Sequence, residues 1–199
     1  MKTSFEKFAG WAAILAGISG FLYSISFIVL QNNLLSAVFL TLGGLFSAAA
    51  LTGLYQRLRG IESGFALLGL LLSLSAALGS AIHGGYDLAN ALHPPASLNA
   101  DLPNPIDPRG LLTFGIAGLG LFLLSWLMTQ GMDFPRLLSY LGFLSSILMI
   151  ILYLGRLIIL QATNLAIVIP ALLEGFLVNP IWYIWLGLTL MGDSNRATK

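Results

Sequence analysis

Cysteine is missing from this 199-residue chain. Its absence removes disulfides, thiolate metal sites and a cysteine nucleophile together. Charge is nearly as scarce. Lys, Arg, Asp and Glu make up 9% of the residues and apolar types 57%, whereas a soluble domain carries about 25% charge. Mean hydropathy is +0.90. So few charges could not keep that much apolar side chain in water, which excludes an ordinary soluble enzyme and a disordered chain. A net charge of +1 leaves no electrostatic footprint for nucleic acid. Lysine occurs only at Lys2, Lys7 and Lys199, so no span offers one for a Schiff base. Histidine is limited to His83 and His93, too few and too poorly placed for a two-histidine haem site. There is no P-loop, dinucleotide fingerprint or HExxH.

What the chain does have is long apolar runs. A spanning helix needs about 20 mostly apolar residues, and six stretches meet that requirement: about 8–30, 34–55, 64–86, 110–129, 135–160 and 164–191. The run after Lys7 is too long for a signal-peptide core and reads as a retained first span. The expected fold is all-α, a single polytopic bundle of six transmembrane helices occupying 1–199, embedded in the lipid bilayer. Lys2, Lys7, Arg57, Arg59, Arg136, Arg196 and Lys199 fall on one side and only Arg109 on the other. This bias places both termini in the cytoplasm and the protein in the cytoplasmic (inner) membrane as a multi-pass chain. Trp11, Trp126, Trp182 and Trp185 fall near the same ends, where indoles favour the headgroup layer. The turns near Gln31–Asn33 and Gln161–Thr163 are short and predict antiparallel hairpins. The loop 93–109 holds Pro94, Pro95, Pro103, Pro105 and Pro108 and predicts an extended cap on the outer face.

FLYSISFIVLQ (21–31) resembles ILYLGRLIILQ (151–161), a candidate internal repeat that pairs Tyr23 with Tyr153. It leaves Arg156 opposite Ser26 and Glu174 opposite Gly44, so the two charges belong to the second hairpin alone.

The informative residues are those that are costly to keep in lipid, because polar groups at membrane depth usually turn inward and find partners. Arg156 falls in the outer part of span five and Glu174 somewhat deeper in span six, so an Arg156–Glu174 ion pair is expected. His83 and Asp87 are four residues apart and share a helix face, on a row with Ser75 and Gly79. Tyr153 steps along the same side of span five as Arg156. Pro170 and Pro180 flank Glu174, and Asn179–Pro180 is a candidate helix break. His83, Asp87, Tyr153, Arg156 and Glu174 are therefore the candidate ligand-binding residues, expected at one depth on the outer side. A weaker alternative uses His83, Asp87 and Glu174 as metal ligands. Ser80, His83 and Asp87 have the residue types of a hydrolase but no nucleophile elbow. No catalytic residue and no cofactor is assigned. The string Gly115–Ile116–Ala117–Gly118–Leu119–Gly120 lies within a span and reads as helix packing.

The opening Lys7–Phe8–Ala9–Gly10–Trp11, the hairpins and the closing Asn179–Pro180–Ile181–Trp182–Tyr183–Ile184–Trp185–Leu186–Gly187 together resemble a large bacterial family of six-span membrane proteins. That family is catalogued as a domain of unknown function, and its last helix carries a Pro-hydrophobic-aromatic-x-x-Trp-x-Gly pattern. The resemblance covers nearly the whole chain. It implies a six-helix bundle and carries over no catalytic residue. The expected function is a non-enzymatic membrane protein with an outward-facing polar pocket for a small ligand, lipid headgroup or ion. Two other readings stay open. One is an accessory subunit of a larger membrane complex, or a homodimer, joined through small-residue faces such as Gly115 and Gly118. The other is a membrane enzyme acting on a lipid or extracytoplasmic substrate, with or without a metal.

Overall fold

A computed structural model describes residues 3–94, 108–159, 161 and 163–192. The expected cap over 93–109 falls almost wholly outside the described residues. Six helices are long and apolar enough to cross a membrane: α1 (Ser4–Val29), α2 (Asn33–Leu58), α3 (Ser63–Leu92), α4 (Pro108–Gln130), α5 (Arg136–Ile158) and α6 (Leu165–Met191). Several outrun the expected apolar stretches. α1 starts at Ser4 because Thr3 and Glu6 form a reciprocal capping box, with Thr3 N–H donating to Glu6 Oε2 at 3.0 Å and Glu6 N–H to Thr3 Oγ1 at 3.2 Å. Asn32 caps α2 through Leu35 N–H, just after Gln31 turns the chain with φ of 48°. Asn164 caps α6 through Ala166 N–H.

The helices pack in chain order, each on the next, and α6 returns to α1, so they form a closed ring. Six crossings bring the last helix back to the end where the first begins. This is here called the near end, and the opposite one the far end. Across the ring, α2 also touches the near half of α6.

Lipid supplies no hydrophobic drive between helices, so close backbone approach and hydroxyl contacts hold such a bundle together. The same device recurs from seam to seam. A hydroxyl occupies the place a Cβ would take on a facing glycine: Thr41 at Gly84, Ser73 at Gly120, Ser125 at Gly142 and Ser24 at Gly175. Ser146 Oγ also donates to the Gly118 carbonyl at 2.8 Å. Gly115 and Gly118 therefore pack inside the chain against α5, Gly115 beneath the Tyr153 ring, and are not a face left for a partner. Between α1 and α6 the backbones themselves meet, Gly10 against Gly187 and Gly17 against the Pro180 carbonyl.

The expected break at Asn179–Pro180 does not occur. α6 instead passes through a π-helical turn at Glu174–Val178 before Asn179–Met191 resumes as α-helix. The Asn179 N–H donates to the Glu174 carbonyl five residues back, and Pro180, which has no N–H to give, sits at the start of the next segment. α1 ends in its own π turn, Ile25–Val29. The segments 155–159 and 44–48, aligned with these by the candidate repeat, show no π turn.

The core is uneven along the bundle. Every large, fully buried side chain among the described residues is in the near half: Leu54, Leu58, Leu124, Leu127, Met128, Leu138, Trp182, Leu186 and Leu190. Trp182, expected among headgroup indoles, is 1% exposed. Its Nε1 lies by Gly142 and Ser125, because the α6 register turns it inward. Trp11, at 60% exposure, faces outward.

Candidate functional site

The far half carries the polar groups. On α3, His83 Nε2 and Asp87 Oδ2 lie 3.2 Å apart, one helical turn between them as their spacing requires. Gly84, on the same turn, packs against Thr41 of α2, which fixes the rotation of α3. On α1, the half-buried Tyr23 stacks on Phe27 with ring centroids 5.5 Å apart. Its hydroxyl lies in the electrostatic field of both Asp87 and Arg156. Those three groups come from α1, α3 and α5, which are not neighbours in the ring. Tyr23, Asp87 and Arg156 therefore all belong to the far end, with Tyr23 within electrostatic range of the other two. Arg156, in the last turn of α5, is half-buried and makes no hydrogen bond or ion pair with a described residue.

Glu174 lies deeper, about 14 Å from the far end of α6 by helical rise. It is 5% exposed. Ser145 Oγ of α5 donates to Glu174 Oε1 at 2.6 Å. The Asn179 amide faces the same carboxyl, while Oε2 makes no hydrogen bond within the described residues. The expected ion pair with Arg156 is not formed. Ser145 and Arg156 are eleven residues apart on one face of α5, about 16 Å at the helical rise and beyond the span of an arginine side chain. His83, Asp87 and Glu174 do not gather as metal ligands either. Among the described residues no three His, Cys, Asp or Glu side chains meet to hold a metal ion. The candidate residues thus separate into two levels, with His83, Asp87 and Arg156 near the far end and Glu174 below them. Tyr153 is at the outer level, but its ring turns onto Gly115 of α4.

Three polar groups escaped the sequence reading. Tyr23 was visible there only as the partner of Tyr153 in the repeat. Ser145 had a usable signal, since eleven residues is about three turns and puts it beneath Arg156. The third is a clamp at the near end. Arg57 Nε donates to Glu6 Oε1 at 3.1 Å, and its guanidinium Nη2 donates to the Leu190 carbonyl at 3.1 Å. It ties the first, second and last helices together, and its cation sits on a helix C-terminus. The sequence counts Arg57 as a loop cation, although Thr3-Ser4-Phe5-Glu6 is a readable capping box.

No protein-family profile matches the chain, and no curated protein or solved structure is significantly similar to it. The final-helix resemblance therefore gains no support from a family match, and the reading of the site rests on its own geometry.

Proposed function

We propose that this is a non-enzymatic protein of the cytoplasmic membrane, with both termini in the cytoplasm, that binds a small ligand, lipid headgroup or ion in a polar pocket opening outward. The observation that carries this reading is the gathering of polar groups in the far half, where Tyr23 of α1 lies within electrostatic range of Asp87 of α3 and Arg156 of α5, three non-adjacent helices. The near half beneath them is filled with leucine. A bundle packed solid at one end and polar at the other suits binding from one side better than passage through. The orientation follows from the seven-to-one bias of Lys and Arg towards the near end.

The chain has no cysteine, so single-cysteine variants report without background. In right-side-out vesicles, Tyr23→Cys should react with a charged, membrane-impermeant thiosulfonate added outside, and Leu54→Cys should not. If Tyr23→Cys stays unlabelled from either face, or Leu54→Cys labels equally fast, the pocket does not exist.

A further inference from the structure

We infer that the pocket is entered sideways from the bilayer by a phospholipid, and that Arg156 holds the lipid phosphate. The inference rests on the pocket reading above and names its ligand class.

The first support is a gap in the ring. Gly10, Gly17 and Gly187 lay the near half of α6 directly on α1. At Ser24 and Gly175 this close seam ends, with Phe21 and Phe176 meeting edge to face nearby, centroids 5.9 Å apart. Both helices enter their π turns at this level, Ile25–Val29 in α1 and Glu174–Val178 in α6. Beyond it, Leu165–Leu173 packs on α5 and scarcely touches α1.

The second support is the surface beside the gap. Phe27, Val29, Leu165 and Ile169 are all more than half exposed and offer apolar flanks to acyl chains.

The third support is the charge at the top. Arg156 has no partner among the described residues; of the described acids of the far half, Asp87 pairs with His83 and Glu174, three turns deeper, accepts from Ser145. A half-buried guanidinium at the end of a membrane-spanning helix is stabilised by an anion. Its planar fork of donors fits two phosphate oxygens at once. Inorganic phosphate offers the same chemistry, but it gains nothing from an apolar side entrance.

The test uses the full chain in nanodiscs containing phosphatidylglycerol and monoglucosyl diacylglycerol with matched acyl chains, followed by intact-complex mass spectrometry. One phosphatidylglycerol per protomer should be retained in preference to the phosphate-free glucolipid. Arg156→Gln should lower that retention about tenfold, as loss of a charge-assisted contact does. Arg156→Lys, which keeps the charge without the fork, should fall between, and the exposed near-end control Arg136→Gln should match the parent. Equal retention of the two lipids, unchanged retention in Arg156→Gln, or displacement of the lipid by excess inorganic phosphate would overturn the inference. Labelling of Tyr23→Cys in the Arg156→Gln background separates the two ideas. Continued labelling with unchanged lipid retention removes the lipid and leaves the pocket, whereas loss of labelling in the parent background removes both.

Discussion

The two halves of the bundle are built from the same six helices and filled differently. Around Leu58, Leu186 and Leu190, large side chains interdigitate with almost no exposure, and the Glu6–Arg57 clamp closes the end. In the far half the buried positions go mainly to alanine, serine and glycine. Leu148, Met149, Leu152 and Ile167 are buried there too, but many large apolar residues face outward, and this half carries Tyr23, Asp87, Arg156 and, lower down, the buried Glu174. Dense dispersion contacts in the near half make a rigid base. The far half gives up some of that packing and keeps charged groups that cost free energy in a bilayer. The contrast puts dense packing at one end and the polar groups at the other.

Mutations can break this division. Leu186→Ala should have the largest effect. It removes a fully buried side chain and should cost about 3 kcal/mol, read as a lower midpoint in mild-detergent unfolding. Ile82→Ala, at a site 73% exposed in the far half, should leave the midpoint unchanged. Equal losses at the two sites would abolish the distinction. Arg57→Ala comes next, at about 2 kcal/mol, because it strands Glu6 and the Leu190 carbonyl in a partly buried place. Arg57→Lys should recover only part of this, since one amine cannot reproduce both arms. The smallest effect sharpens the contrast. Ser145→Ala removes the hydroxyl that donates to Glu174 and should cost about 1 kcal/mol. Combining it with Glu174→Gln should add little more, because both changes act on one contact.

Much of the architecture could be read from the chain before its structure. Six apolar runs in 199 residues permit little except a bundle, and the capping box accounts for the earlier start of α1. Side-chain partners were harder. Depth along a helix follows from counting residues, but rotation about its axis depends on the neighbours. Arg156 and Glu174 looked matched in depth until the seating of Glu174 on Ser145 placed the two about three turns apart. His83 and Asp87 paired as expected because the pair lies within a single helix, where spacing determines contact. The leucines of the near half could not be told from those facing lipid, since α6 has leucine on every side. Only the glycine contacts with α1 decide which of them point inward.

Those contacts depend on the π turn at Glu174–Val178. A π turn carries one more residue than the α-helical turn it replaces, so it sets the rotational phase between the two halves of α6. Taking out one residue there would restore a uniform helix and swing everything after it by about 100° relative to the segment before it. Trp182, Leu186 and Leu190 would then rotate out of the ring together, and Gly187 would no longer face Gly10. A single residue in mid-membrane thus keeps the acid-bearing half of α6 and its packing half in register.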